Sequence, residues 1–398
     1  AAASKPKVDR FITKFSRVYT PIVVFLALGT AVLPPLVAGG DWNYWIYTAL
    51  SFLVMSCPCA LVLSVPLAFF SGIGAGSKKG ILFKGGVALE SMADVKAVVM
   101  DKTGTITEGN FVLQKTVTVG NTDEDTLLRL AASCEQVSTH PIANSIVTAA
   151  KEKGMELTRP STLKEIAGEG ILAVMDGNVI LCGNKKLMEH HNINISAYNN
   201  EVFGTEVLVA IEGEYAGYLV ISDTIKADAK SAIAAIKKQN IVTAMLTGDA
   251  QNSAEAVAKE TGIDEVHAKL LPQDKLSTLK KLRETYTSVM FVGDGINDAP
   301  VLAGADVGAA MGSGADAAIE AADVVFMTSS MSAIPDALRI AKSAVAISWQ
   351  NIVFALAIKI AVMILGLCGF ASMWMAVFAD TGVAMLCVLN SIRVLYKK

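Results

Sequence analysis

Three apolar runs in this sequence end in residues able to handle phosphate. In VVMDKTGTITEG, Asp101 follows its run directly. A carboxylate presented at a strand end can attack a phosphoryl group and become an acyl phosphate. Thr103 and Thr105 add hydroxyls, and Gly104 lets the backbone approach closely. In AMLTGDA, Thr247, Gly248 and Asp249 follow a second run; in FVGDGINDAP, Asp294, Asn297 and Asp298 follow a third. Lys275, in LPQDK, is a cation able to neutralise a transferred phosphate. Carboxylates gathered around phosphate make a hard oxygen site that suits Mg²⁺. Each feature alone has an ordinary explanation: an Asp after a strand is commonly a helix cap, and a helical lysine is commonly solvated. Their joint occurrence in this order argues against coincidence.

Strand ends must hold these groups, and the hydrophobic pattern supplies them. KAVVM (96–100), IVTAML (241–246) and TSVMFVG (287–293) read as buried strands. IKADAKSAIAAIKKQ reads as an amphipathic helix, and NSAEAVAKETG as a helix stopping at Gly262. This βαβα rhythm predicts a parallel, doubly wound sheet, which binds ligands at the carboxyl ends of its strands. The stretch from about 112 to 221 breaks the rhythm and reads as a separate inserted lobe.

The 398-residue chain has a mean hydropathy of +0.47, with the apolar residues concentrated toward its two ends. Segments 18–38, 44–70, 344–367 and 371–394 are long and apolar enough to cross a bilayer. Pro21, Pro34, Pro35, Pro58 and Pro66 interrupt them at positions that a helix bundle can tolerate. Lysines and arginines flank the segments on one side only, which predicts two hairpins with a cytoplasmic insert between them. A formal net charge of -3, with no basic run carrying aromatics, makes no case for a nucleic-acid partner, and none is expected. Six scattered cysteines form no disulfide framework. Two of them, Cys57 and Cys59, flank Pro58 in LVMSCPCALVLSVP. On an intact helix they would point about 200° apart. Unwinding at Pro58 turns both sulfurs toward one point, as broken helices do at transporter substrate sites. Buried cysteines also serve as small hydrophobes, and thiolates suit Cu(I) and Zn²⁺ alike.

DKTGT with TGD and GDGxND resembles the P-type ATPases, and the resemblance covers essentially the whole chain. It implies a multi-domain protein: α-helical transmembrane hairpins plus a cytoplasmic α/β haloacid-dehalogenase-like phosphorylation domain with an inserted α+β nucleotide-binding domain. The expected boundaries are 1–17 as a cytoplasmic edge, 18–75 and 340–398 as hairpins, 76–111 with 222–335 as the phosphorylation domain, and 112–221 as the nucleotide-binding domain. By the resemblance, Asp101 is the phosphorylated residue. Asp101, the Thr103 carbonyl and Asp294 hold Mg²⁺. Thr247, Lys275, Asn297 and Asp298 position the phosphate, with Lys102, Gly248 and Asp249 in the same catalytic set. CEQVSTHPIA, AGEG and CGN resemble the heavy-metal branch. There Glu135 and His140 contact the adenine of ATP, and Ser138, Gly168, Gly170, Gly183 and Asn184 complete the nucleotide site.

In such a protein SCPCA implies that Cys57 and Cys59 bind the transported ion. Intramembrane charges cost about 3 kcal/mol each on insertion scales and are functional by default. Lys359 and Asp380 are two such charges, in contexts that resemble the zinc, cadmium and lead exporters. The Tyr-Asn and Met…Ser-Ser patterns of copper exporters are absent. Two thiolates, one carboxylate and one ammonium sum to about minus two, which a divalent Zn²⁺, Cd²⁺ or Pb²⁺ matches. Lys359 serves as a counter-ion that pairs with Asp380 once the metal has left. The expected location is a bacterial inner or plasma membrane, in contact with lipid.

Relatives of this kind carry four further spans and an actuator domain with a TGE loop. The sequence contains no TGE and no N-terminal CxxC. AAASKPKVDRF therefore reads as a cut edge, and the missing actuator and upstream spans are expected partners. Three competing readings are a Cu(I) exporter, a membrane-anchored phosphatase to which Cys57, Cys59 and Asp380 are dispensable, and a metal-binding membrane protein that forms no phosphoenzyme.

Overall fold

The computed structural model describes residues 11–56, 59–120, 122–138, 140–198, 204–367, 375 and 377–396. Two compact units divide the chain: Ala1–Met100 with Ser231–Ala244 and Leu271–Lys398, and Asp101–Lys230 with Met245–Leu270. Thirteen strands occur among the described residues. They are β1 (Ile81–Phe83), β2 (Ala97–Asp101), β3 (Thr107–Thr118), β4 (Thr162–Ile166), β5 (Gly170–Met175), β6 (Asn178–Gly183), β7 (Thr205–Ile211), β8 (Glu214–Ile225), β9 (Val242–Leu246), β10 (Glu265–His267), β11 (Val289–Gly293), β12 (Val307–Met311) and β13 (Val324–Phe326).

In the first unit β1, β13, β12, β11 and β2 lie side by side in that order. The pairs from β13 to β2 are parallel and β1 is antiparallel. Every residue of β2, β11, β12 and β13 is buried, as expected of a parallel sheet covered on both faces. The start of β9 follows beside β2, with Val242 N–H donating to the Lys96 carbonyl at 3.0 Å. The register of β11 on β2 runs from Val289↔Ala97 to Val292↔Met100. Asp101 and Gly293–Asp294 therefore leave the sheet at the same end, the carboxyl end.

The apolar segments are helical. Arg17–Val37, Ala333–Leu365 and Phe378–Tyr396 are long and apolar enough to cross a membrane, and Val62–Lys78 is a shorter apolar helix. The segment expected over 44–70, with its interruption at Pro58, falls on two helices, Trp42–Met55 and Cys59–Lys78. Pro58 offers no N–H to the carbonyl of Val54, so a continuous helix is disfavoured there. Cys57 and Pro58 themselves lie outside the described residues, as does the side chain of Cys59. Pro21, Pro34 and Pro35 lie inside a helix that runs on from Phe11 to Ala38. The segment expected at 344–367 is the far part of a longer helix, Ala333–Leu367. Its basic residues Arg339 and Lys342 do not interrupt it.

The second unit carries an antiparallel sheet in the order β3-β8-β7-β6-β5-β4. Its long edge pair, β3 with β8, runs from Thr107↔Ile225 to Thr118↔Gly217. Two tight hairpins form where the sequence reads DG and EG, with positive φ at Asp176 and Gly177 and at Glu212 and Gly213. Helices Glu124–Glu135 and Pro141–Glu152 supply Leu127, Leu128 and Ile146 to a core shared with Ile171, Ala173 and Leu219 of the sheet. Leu187 and Met188 cover a second cluster with Tyr218 and Val220. Leu127 is fully buried. Leu127→Ala is expected to lower unfolding stability by about 2–5 kcal/mol, read by urea denaturation. An unchanged midpoint would show that this cluster does not hold the lobe together.

Candidate functional site

The turn after Asp101 begins with a buried carboxylate. Thr103 (φ -72°, ψ 131°) and Gly104 (φ 71°, ψ -18°) form the centre of a type II turn, which requires glycine at its second central position. Two bonds pin this turn. Thr107 Oγ1 donates to the Lys102 carbonyl at 3.0 Å, and Lys226 Nζ donates to the Gly104 carbonyl at 2.8 Å. The Thr107 hydroxyl also contacts the Asp223 carboxylate. Burial pushes the Asp223 carboxyl up, while the Thr107 bond and the Lys102 charge pull it down. Thr105 is fully buried.

The second motif follows β9. Thr247 is buried, its N–H donates to the His267 carbonyl of β10 at 3.0 Å, and its carbonyl accepts from Leu270 N–H at 3.1 Å. The Asp249 N–H donates to Thr247 Oγ1 at 3.2 Å. Asp249 forms an ion pair with Lys102. Those two members of the expected catalytic set are thus partners of each other. A side chain at Gly248 would press on the Leu270 carbonyl.

The third motif follows β11. Asp298 is buried and folds back over the strand end, accepting from Gly295 N–H at 3.2 Å. Lys275, reaching from the helix Pro272–Tyr286, donates to it at 3.1 Å. A Cβ at Gly293 would lie 2.7 Å from the Asp298 carboxylate, so glycine there makes room for the charge. The Asp294 carbonyl accepts from Ala315 N–H at 2.8 Å, and Asn297 is exposed. Asp294 and Asp298, at the end of β11, are hard oxygen donors of the kind that fits Mg²⁺.

In the inserted lobe, His140 caps the helix Pro141–Glu152 through Nδ1, which accepts from Ile142 N–H at 3.2 Å. Ser138 Oγ accepts from His140 N–H at 3.3 Å. Glu135 points into the core, where Cys182 Sγ donates to it at 3.7 Å. Gly170 and Gly183 face each other across β5 and β6. A Cβ on Gly170 would lie 2.3 Å from the Cys182 carbonyl, and one on Gly183 would lie 2.2 Å from the Glu169 carbonyl. The close approach these two glycines permit is therefore between strands of the lobe itself. Gly168 (φ 76°) has open space on its Cβ side. Asn184 caps the helix Lys185–His190 and donates through Nδ2 to the Gly168 carbonyl at 2.8 Å.

Within the apolar helices Lys359 Nζ lies 3.2 Å from Asp380 Oδ1, with the lysine side chain 5% exposed. Asp380 sits in a π-helical turn, Phe378–Gly382, ahead of the helix Val383–Ile392. Such widened turns recur at functional sites.

Sequence reasoning missed several polar groups whose importance comes from burial. Lys226 and Asp223, in SDTIKAD, lie at the end of β8, and nothing in their local pattern marks them. Asn351 is buried. It donates to the Cys387 carbonyl at 3.1 Å and to Ser391 Oγ at 2.8 Å. Ser391 in turn donates to the Ser64 carbonyl at 2.8 Å.

The Glu135 carboxyl is pushed up to about 7 by burial, against the Cys182 bond and with a smaller push from Glu165. Burial likewise raises the Cys134 thiol to about 12 and the Cys182 thiol well above 9.0. An acid whose pKa is higher folded than unfolded binds its proton more tightly in the fold. Its contribution is complete below about 4.5 and is lost as pH rises through about 7. Glu135→Gln is therefore expected to abolish a stability loss on the order of 3 kcal/mol between about pH 5 and pH 8. Urea unfolding across that range reads it, and parallel wild-type and variant curves would contradict it.

Residues 95–306 match the haloacid dehalogenase-like hydrolases. The chain is 49% identical to the cadmium, zinc and cobalt-transporting ATPase of Bacillus subtilis (strain 168), covering 100% of this chain and 57% of that relative. It is 47% identical to the zinc-transporting ATPase of Synechocystis sp., covering 99% of this chain and 55% of that protein. It thus spans little more than half the length of these relatives. The crystal structure of a zinc-transporting PIB-type ATPase in the E2.Pi state superposes with a TM-score of 0.88 at 36% identity, covering 98% of this chain and 64% of the other.

Proposed function

This chain belongs to the haloacid dehalogenase-like hydrolases, in the branch of the heavy-metal P-type ATPases, and from that premise we propose that its protein exports soft divalent ions by hydrolysing ATP through an aspartyl phosphate on Asp101. A carboxylate oxygen of Asp101 attacks the γ-phosphorus. The bond from that phosphorus to the bridging oxygen breaks, and ADP leaves with the electron pair. Water later attacks the acyl phosphate, releasing inorganic phosphate and restoring the carboxylate. Phosphoryl transfer of this kind needs chiefly alignment and charge neutralisation. Lys275 supplies the positive charge, and Asp298 sets its position. Thr247 and Asn297 supply donors to the phosphate oxygens. Asp101, the Thr103 carbonyl and Asp294 would hold Mg²⁺, which when bound neutralises charge on the phosphate. Glu135, His140 and Gly168 border the adenine site.

One observation carries the reading beyond phosphate chemistry: the Lys359–Asp380 pair inside apolar helices. The buried Lys359 ammonium is compensated by the partly exposed Asp380 carboxylate, and removing that carboxylate leaves the ammonium costly. A divalent ion bound by Cys57, Cys59 and Asp380 takes the place of that ammonium, which returns when the ion leaves. Zn²⁺, Cd²⁺ and Pb²⁺ all suit such a thiolate–carboxylate set. The natural setting is a bacterial plasma membrane, with the nucleotide lobe facing the cytosol, where ATP is.

Asp101→Asn is expected to abolish the acid-stable, hydroxylamine-sensitive phosphoenzyme formed from ATP while leaving ATP binding within about two-fold, because an amide is no nucleophile. Label retained on the variant would remove the nucleophile assignment. Asp380→Ala leaves a buried ammonium facing an incoming dication. Zinc-stimulated turnover in the full-length protein is expected to fall by more than about ten-fold. Normal zinc stimulation in that variant would reject the charge-exchange reading.

A further inference from the structure

A cleft of about 710 Å³ opens in the first unit between the segment 231–239 and the start of the helix Ala333–Leu367. Three cations line it: Lys238, Arg339 and Lys342. Three hydroxyls, from Ser231, Ser332 and Ser343, stand among them. Its one carboxylate, Asp336, is already engaged. It accepts from Lys79 Nζ at 2.7 Å and from Arg339 Nη2 at 2.5 Å. Lys342 Nζ donates only weakly, to the Gln239 carbonyl at 3.3 Å. Lys238 is exposed. The lining is therefore cationic beyond what its own acid can balance, with hydroxyl donors interspersed. That chemistry suits a phosphate monoester or diester.

The position of the cleft separates these sources. Pro335, Arg339, Lys342 and Ala346 follow one another at spacings of four, three and four, so they form a single stripe on the helix, with Ser343 beside it. The same stripe continues to Trp349 and Val353, which are 51% and 61% exposed. Exposed tryptophan followed by exposed aliphatic residues marks the point where such a helix enters the interfacial region of a bilayer. The cleft thus lies about two turns outside that point, at headgroup depth. A molecule whose phosphate sits in the cleft can lay acyl chains along the exposed face at Val353, whereas a soluble phosphate has nothing to place there. Basic pockets on the cytoplasmic side of membrane helices bind anionic headgroups in this way.

We propose that this cleft is a binding site for an anionic phospholipid, its phosphate held by Lys238, Arg339 and Lys342. The proposal rests on the membrane reading of this helix and not on the pumping cycle. The test is native mass spectrometry of the full-length protein in detergent, exposed to equimolar phosphatidylglycerol and phosphatidylcholine. Preferential retention of phosphatidylglycerol is expected, falling about five-fold for each of Lys238→Gln and Lys342→Gln. Lys151→Gln, on the inserted lobe, should leave retention unchanged. Lys238 is an exposed residue whose replacement does not disturb the core, so its variant reads the site even if Lys342→Gln folds poorly. Equal retention of both lipids, or undiminished phosphatidylglycerol on the Lys238→Gln protein, would overturn the proposal. So would displacement of the lipid by millimolar inorganic phosphate, which would make this a site for soluble anions. Protein that stays monodisperse without detergent would overturn the membrane reading and this proposal with it, whereas a missing phosphoenzyme would touch neither.

Discussion

The parallel pairing of β11 with β2 is the constraint on which the chemistry depends. Once Val292 is opposite Met100, the chain positions of Asp101, Gly293 and Asp294 follow without further choice. A slip of one residue would turn every side chain to the opposite face. Burial of both strands along their whole length opposes that slip. The lack of a side chain at Gly293 then lets Asp298 fold over the strand end, and Asp298 in turn fixes Lys275. Placement of several charges thus rests on one row of backbone hydrogen bonds.

Polar groups in apolar surroundings are handled in two ways here. Between the apolar helices Lys359 and Asp380 neutralise each other, while Asn351, Ser391 and Ser64 use neutral hydrogen bonds to tie three helices together. The neutral network gains strength from low dielectric and loses nothing to ion desolvation. The charged pair carries that desolvation cost, which makes it a poor fastener and a good exchangeable contact. In the inserted lobe the same physics keeps Glu135 and its neighbouring thiols near or above neutrality in pKa.

The strand ends were legible in the sequence because Asp101, Thr247 and Asp294 each follow an uninterrupted apolar run. The inserted lobe was legible as a break in rhythm. Its strand order was not, since Thr107 pairs with Ile225 and no local pattern marks so distant a partner. Sequence alone offers Gly170 and Gly183 as space for a nucleotide, yet the structure also needs them to let β5 and β6 approach. Sequence shows that a glycine is small but not what comes near it. One lysine after a strand looks solvated in sequence; only its burial against the Gly104 turn gives Lys226 weight. A helix end short of Pro58, as at Met55, follows from the missing N–H, whereas no local residue pattern marks the π turn Phe378–Gly382.

The helix Ala333–Leu367 begins after the strand β13 and its short loop and runs on through an apolar stretch. Lys359 lies 26 residues from its start, which at 1.5 Å per residue is about 39 Å. An unbroken helix of that length behaves as a stiff lever whose fulcrum is beside the sheet. A tilt of only about 5° at the fulcrum carries the far point through roughly 3 Å. That is the scale of the 3.2 Å contact between Lys359 and Asp380, so a rotation small enough to leave the sheet's packing intact is large enough to make or break the ammonium's hold on its carboxylate.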